Sequence, residues 1–186
     1  MSTVAVGLPA PHAFVDAYLR GIDQPWPMSL AQYAGKWVVL FFYPHDFTFG
    51  HPAEIEAFAR LHGRFLQEDA VVLGASTDSY YSHKAWYETE GRLADVEYPV
   101  LADSAHALAA GLGVLGADGA AMRATFIIDP TGIVRHMLVN DLAADRNADE
   151  TLRTLQALRT DMRCPVDWRP GQLALSDREV AVGRAA

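Results

Sequence analysis

The side chains best suited to chemistry lie in one loop, residues 44–52 (PHDFTFGHP), and at one distant cysteine. The loop contains Thr48 and His51, and Cys164 is the single cysteine of the chain. An imidazole exchanges a proton near neutral pH and therefore suits a general acid or base. A thiolate is a nucleophile, but a single thiol cannot form a disulfide within its own chain. The sequence therefore offers two reactive groups and no disulfide framework.

The segments around the loop predict that His51 stands at the start of a helix. Residues 37–43 (WVVLFFY) form a continuous apolar run that is typical of a strand buried on both faces. Pro52 suits a first helical turn, where its missing N–H group is not needed, and Ile55 and Phe58 follow at helical spacing. Since the positive end of a helix disfavours an imidazolium, we expect His51 to be largely neutral near pH 7.

The rest of the pattern predicts an α/β protein. Residues 1–36 are punctuated by proline and glycine, which indicates mostly extended or looped chain. After the first helix we expect, in chain order, a buried strand at 70–76, a helix starting at Ser79, a short helix at 104–111, strands at 124–129 and 133–139, and a last helix at 149–160. Alternating strands and helices followed by a hairpin are typical of a three-layer α/β domain.

Composition narrows the classes of function. The formal net charge is -8, which disfavours a nucleic-acid-binding surface, because such surfaces are basic. No apolar run reaches the roughly 20 residues that span a bilayer. The N-terminus has no signal-peptide pattern, so we expect a cytoplasmic protein without a membrane anchor. The histidines do not show the spacing of metal ligands, and we expect no metal or other cofactor.

Four motifs resemble those of the peroxiredoxin family. Residues 44–54 are similar to its active-site loop, Pro-x-x-x-Thr-x-x-Cys-Pro, which follows an FFYP-type strand. Residues 76–86 resemble its second strand-to-helix junction, residues 123–129 its segment with the active-site arginine, and residues 164–171 the box of its resolving cysteine. The similarity covers about residues 6–173. It is nearest to the typical two-cysteine branch, which includes alkyl hydroperoxide reductase peroxidase subunits and thioredoxin peroxidases.

The resemblance implies a thioredoxin-like fold of the peroxiredoxin type, with a central mixed sheet flanked by helices. It implies a single domain over residues 1–173, which includes an N-terminal extension and the C-terminal box. We expect residues 174–186 to form a flexible tail, because they are small and polar.

The resemblance also implies roles for single residues. In this family a cysteine thiolate attacks peroxide, while a proline excludes water and a threonine and an arginine orient the peroxide and stabilise the charge. These supporting positions match Pro44, Thr48 and Arg123, and the resolving position matches Cys164. The position of the peroxidatic cysteine is occupied by His51. An imidazole has no sulfur to oxidise, so we expect conventional peroxidase activity to be absent or very weak.

The residues are compatible with two other functions. His51 could act with Thr48 and Arg123 as an acid–base catalyst on another small substrate, and Cys164 of a partner subunit could join it as a Cys–His pair. Alternatively, the protein could be a non-catalytic oligomer that acts as a chaperone, regulator or binding protein. The resemblance implies a homodimer or a ring of dimers, a small polar molecule or peroxide in the pocket, and a thiol reductant. Gly50, where valine is common in the family, favours an evolved histidine over an engineered one.

Overall fold

The computed structural model describes residues 4–175, which divide between two compact units with a boundary after Asn147. The first unit contains seven strands and three α-helices in the described part of the chain. These elements are β1 Val15–Tyr18, β2 Trp26–Met28, β3 Trp37–Phe42, α1 His51–Gln67, β4 Ala70–Ser76, α2 Tyr80–Thr89, β5 Val100–Ala102, α3 Ala107–Gly111, β6 Arg123–Ile128 and β7 Val134–Asn140. Short 3-10 turns lie at Leu30–Tyr33 and Gly91–Leu93.

The strands form one mixed sheet in the order β2-β1-β5-β4-β3-β6-β7. Strand β3 pairs in parallel with β4, which pairs in parallel with β5, and the other neighbouring pairs are antiparallel. The apolar run WVVLFF therefore lies between two partners near the middle of the sheet, as its lack of polar alternation predicts. The α/β class and the central mixed sheet are confirmed.

Side chains of β3 alternate between two apolar layers. Phe41 packs against helix α1, where its ring stacks on Phe58 with centroids 4.2 Å apart. Leu40 and Phe42 point to the opposite face and join the buried cluster that contains Leu108 of α3. Helices therefore cover both faces of the sheet. The end of β3 also fixes where the following loop begins.

Three short strands were not predicted. Strands β1, β2 and β5 have three or four residues each, too few for a periodic pattern to identify them. They exist because β1 pairs with both of the others, for example Asp16 with Ala102 and Ala17 with Trp26. This part of the N-terminal region is therefore sheet rather than loop.

The helix predicted at 104–111 is shorter than expected. Helix α3 begins only at Ala107, because His106 adopts a left-handed conformation with a φ of 60°. The buried Asp103 carboxylate accepts the N–H groups of Leu108 and Ala109 at 3.0 and 2.7 Å, and so caps the helix from outside.

The second unit begins with helix α4, Ala148–Arg159, close to the prediction of 149–160. Its following segment is held by Arg153, whose guanidinium donates to the Trp168 carbonyl at 3.1 Å. The indole N–H of Trp168 in turn donates to the Gln172 carbonyl at 3.0 Å. Of the tail predicted at 174–186, residues from 176 onward lie outside the described residues. Within residues 4–175, no helix is long and apolar enough to cross a membrane.

The stacked pair in the core gives a stability prediction. Phe58→Ala removes a fully buried ring from its contact with Phe41, and we expect a loss of about 3–5 kcal/mol in the free energy of unfolding. Leu66 lies on the same helix but is 53% exposed, so Leu66→Ala should change it by no more than about 0.5 kcal/mol. Urea unfolding of both variants measures the two free energies of unfolding. Equal losses would show that the buried ring of Phe58 contributes no more to stability than the exposed side chain of Leu66.

Candidate functional site

The loop between β3 and α1 is anchored by a buried polar network. The hydroxyl of Tyr43 donates to Asp46 Oδ1 at 2.8 Å, and the other carboxylate oxygen of Asp46 lies 2.8 Å from His83 Nδ1. The backbone N–H of Asp46 donates to Asp78 Oδ2 at 2.9 Å. Because buried polar groups lose free energy unless they are paired, this network holds the loop to α2 and to the end of β4.

The chain then turns sharply to reach the helix. Phe47 has a φ of 54°, a left-handed conformation that residues other than glycine rarely adopt. Its ring packs against that of Trp86, with the centroids 6.0 Å apart. This turn leaves Phe47 and Phe49 exposed and directs Thr48 back toward the start of α1. His51 is the first residue of that helix, as predicted from Pro52.

His51 and Thr48 form a contact inside this loop. The ring Nδ1 of His51 lies 2.9 Å from the carbonyl oxygen of His45, and it also contacts Thr48 Oγ1 closely. The Thr48 hydroxyl donates to the same His45 carbonyl at 3.2 Å. A carbonyl oxygen can only accept, so Nδ1 carries the proton in the neutral ring. In this tautomer Nε2 carries the lone pair, and no hydrogen bond occupies it among the described residues.

The surroundings of His51 favour its neutral form. The residue is only 7% exposed, and its burial lowers the pKa of the imidazole below the usual value of 6.5. The positive charges of Arg123 and Arg146 lower this pKa further, whereas the His45 carbonyl and the Glu54 carboxylate act in the opposite direction. The neutral imidazole expected from the sequence agrees with this direction.

Four charged side chains form a cluster beside the helix start. Glu54, in the first turn of α1, accepts a hydrogen bond from Arg146 Nε at 3.1 Å. Arg123 Nε lies 3.6 Å from the other oxygen of Glu54, beyond hydrogen-bond distance, and Arg123 Nη1 forms an ion pair with Asp145. Two guanidinium groups are thus balanced by two carboxylates.

The predicted site residues of the first unit lie close together. A Cβ atom placed on Gly50 would lie 3.8 Å from Arg123 Nη2, so Arg123 faces the start of helix α1. Pro44 is buried just beyond the end of β3. A hydroxyl, an unprotonated imidazole nitrogen and a guanidinium therefore converge on one helix N-terminus. Such a set can accept a proton and stabilise negative charge.

The predicted resolving position lies in the second unit. Cys164 Sγ is 3.6 Å from Thr160 Oγ1 and 3.8 Å from the Ala157 carbonyl oxygen, both of them weak hydrogen-bond contacts to sulfur. The thiol forms no disulfide and is half-buried. Its role stays a prediction.

Sequence reasoning missed most of the residues that hold the site. Glu54 and Arg146 are 92 positions apart, and no local pattern connects them. The available signal was Glu54 itself, which is the single acid on the face of α1 that contains the apolar residues Ile55 and Phe58. His83 gave no such signal, since its partner Asp46 lies 37 positions away.

Within residues 4–175 no group of three or more His, Cys, Asp or Glu side chains is arranged to hold a metal ion.

Comparisons with known proteins identify the family. The model of the AhpC/TSA family matches residues 7–137. The chain is 45% identical to the chloroplastic 2-Cys peroxiredoxin BAS1 of Hordeum vulgare over 157 residues, which cover 80% of this chain and 75% of that protein. It is 44% identical to peroxiredoxin prdx-2 of Caenorhabditis elegans over 181 residues, which cover 92% of this chain and 88% of that protein.

Solved structures agree with this result. The reduced 2-Cys peroxiredoxin of Plasmodium vivax superposes with a TM-score of 0.88 at 34% identity, covering 97% of this chain and 98% of that one. AhpC of Mycobacterium bovis gives a TM-score of 0.82 at 35% identity, covering 91% of this chain and 100% of that one. The expected thioredoxin-like fold of the peroxiredoxin type is confirmed. The chain therefore belongs to the AhpC/TSA family and is a homologue of the 2-Cys peroxiredoxins.

Proposed function

We propose that this chain lacks the conventional cysteine peroxidase reaction of its family and that His51 acts in the same pocket as a general base on another small polar substrate. The proposal depends above all on the hydrogen bond from His51 Nδ1 to the His45 carbonyl. This bond fixes the tautomer in which Nε2 is unprotonated and able to accept a proton.

The missing reaction follows from the chemistry of position 51. Peroxide reduction by a peroxiredoxin needs a thiolate that becomes a sulfenic acid. His51 has no sulfur, and the remaining thiol, Cys164, would have no sulfenic acid to resolve. The family assignment supports a redox ancestry, whereas the residue at this position removes the group that is oxidised.

The base chemistry follows from the neighbours of His51. Its lowered pKa keeps the ring unprotonated at neutral pH, which a base requires. Negative charge that develops on a substrate after loss of a proton would be stabilised by Arg123 and by the N-terminus of α1. The Thr48 hydroxyl, which orients the imidazole, is a positioning group in this proposal.

The proposed assembly is a homodimer or a ring of dimers, as the resemblance implies. The exposed rings of Phe47 and Phe49 beside the site support contact with another subunit, because exposed apolar groups that cluster mark interaction surfaces. In such an assembly Cys164 of a partner subunit could pair with His51, which would activate the thiol. The cytoplasmic location also stays a prediction.

Peroxide turnover tests the first half of the proposal. With excess dithiothreitol, we expect the wild-type protein to consume no hydrogen peroxide above the background without enzyme. His51→Cys should gain turnover that depends on the introduced thiol, because Arg123 and the helix N-terminus favour a thiolate at this position. His51→Ser is the matched control, since it has nearly the size of the cysteine variant without its sulfur, and it should be inert.

The remaining thiol provides the opposing outcome. Turnover by the wild-type protein that disappears in Cys164→Ser would show that Cys164 has taken over the reaction. It would also contradict the proposal that replacement at position 51 removes peroxidase activity. Turnover by His51→Ser would likewise exclude a dependence on sulfur at this position.

The protonation state of His51 tests the second half. We expect an NMR titration to give a pKa below 6.5 for this ring, with the neutral proton on Nδ1. Because the unfolded state then binds more protons, the stability from neutral His51 is fully present above about pH 6.5 and is lost as the pH falls toward the folded-state pKa. His51→Gln should remove this part of the pH dependence in urea unfolding. A raised pKa, or a proton on Nε2, would contradict the proposal that a neutral ring accepts a proton at Nε2.

A further inference from the structure

One peptide group connects the anchored loop to the imidazole of His51. Its carbonyl, that of His45, lies 2.9 Å from His51 Nδ1. Its N–H, that of Asp46, donates to Asp78 Oδ2 at 2.9 Å. The peptide bond is trans and planar, so its C=O and N–H groups point in opposite directions. A partner that fixes the N–H on one side therefore also fixes the direction of the carbonyl on the other side.

The His45 carbonyl is the group that selects the tautomer of His51. Which ring nitrogen of a neutral histidine carries the proton is set by the hydrogen bond that one of the nitrogens makes. Here the carbonyl accepts from Nδ1, and the Thr48 hydroxyl donates to the same oxygen at 3.2 Å. A rotation of the peptide plane would withdraw this oxygen from the ring and leave the tautomer unselected.

The carboxylate of Asp78 is itself held in place. Ser76, which is fully buried at the end of β4, donates its hydroxyl to the same Oδ2 atom at 2.6 Å. The Ser76 hydroxyl oxygen also accepts the backbone N–H of Asp78 at 3.0 Å. Strand β4 pairs with a neighbour on each side, so its end is a firm support. The half-buried Asp78 thus presents a fixed, charged acceptor, and bonds to charged acceptors are stronger than those to neutral ones.

We propose that Asp78 is a positioning residue for His51 and acts on it through the His45–Asp46 peptide. The carboxylate orients the peptide, the peptide carbonyl holds the proton on Nδ1, and Nε2 is left to accept a proton from a substrate. Hydrogen bonds in series polarise one another, so the charge of Asp78 also makes the carbonyl a better acceptor. The inference rests on the proposed function, because it names the group that prepares the same base.

The nitrogen chemical shifts of the His51 ring test this role, because they distinguish a nitrogen that carries a proton from one that does not. Asp78→Ala removes the acceptor of the Asp46 N–H. In the neutral ring we expect the ratio of the Nε2–H to the Nδ1–H tautomer to rise about two- to tenfold, the range that corresponds to one ordinary hydrogen bond. Asp78→Asn should stay nearer to the wild-type ratio than Asp78→Ala, since its amide oxygen can replace Oδ2 as the acceptor.

Tyr43→Phe is the matched control for a general loosening of the loop. It removes the hydroxyl that donates to the Asp46 carboxylate at 2.8 Å, but it keeps the ring that lies 6.1 Å from that of His51. Both hydrogen bonds of the His45–Asp46 peptide remain in this variant. We expect an unchanged tautomer ratio, even where urea unfolding shows a loss of stability as large as that of Asp78→Ala. Equal changes of the ratio in the two variants would indicate a structural role alone and overturn the proposal.

A measurement on the wild-type protein decides the case in which Asp78→Ala does not fold. We expect a scalar coupling across the hydrogen bond, between the amide nitrogen of Asp46 and the carboxyl carbon of Asp78. Such a coupling exists only if the N–H is bonded to this carboxylate. Its absence would remove the first link between Asp78 and His51 and overturn the proposal.

The failure of this inference is distinguishable from that of the proposed function. A wild-type ring with its proton on Nε2 would contradict the general base and, with it, a residue that positions it. A wild-type ring with its proton on Nδ1, together with an unchanged tautomer ratio in Asp78→Ala, would leave the base intact and exclude Asp78 as its positioning residue.

Discussion

The position of the site depends on one buried ion pair, between Glu54 and Arg146. Both side chains are 2% exposed, and their N–O distance is 3.1 Å. The same guanidinium donates to the carbonyl of Ala124 at 2.9 Å and to that of Phe42. It thus connects the start of α1 to the end of β3 and the start of β6. Removing one member would leave an unpaired buried charge, which costs about 3–5 kcal/mol, so this pair fixes where the helix begins.

The charge balance of this cluster explains why a neutral side chain fits at position 51. Arg123 and Arg146 contribute two positive charges, and Glu54 and Asp145 contribute two negative ones. An imidazolium would add a fifth, uncompensated charge in a buried place, next to the positive end of a helix. The unprotonated ring adds none, which agrees with the lowered pKa of His51. In the same balance Asp145 supplies the second negative charge, although its side chain is 65% exposed.

Much of this arrangement could be predicted from sequence, and the reasons for the exceptions are physical. Strand β4 was predicted with its observed bounds and β3 to within one residue, because long apolar runs in a parallel pair leave a strong local pattern. Strands β1, β2 and β5 exist only through pairing with distant chain, which periodicity does not report. The resemblance placed Thr48, His51 and Arg123 in one site. It gave no indication of Asp145, whose ion pair depends on a fold that brings distant loops together.

In the proposed function, family and activity separate at position 51, and the scaffold allows this because it does not depend on the side chain there. Asp46 holds the loop through its contacts with Tyr43, Asp78 and His83, and none of these contacts involves the ring of His51. Among the described residues, the hydrogen-bond partners of the His51 ring are Thr48 and the His45 carbonyl, both in its own loop. A change of residue at this position therefore alters the reacting atom and leaves the sheet, the helix start and the charged cluster in place. For this reason the fold can be assigned from relatives, whereas the chemistry has to be argued from the site itself.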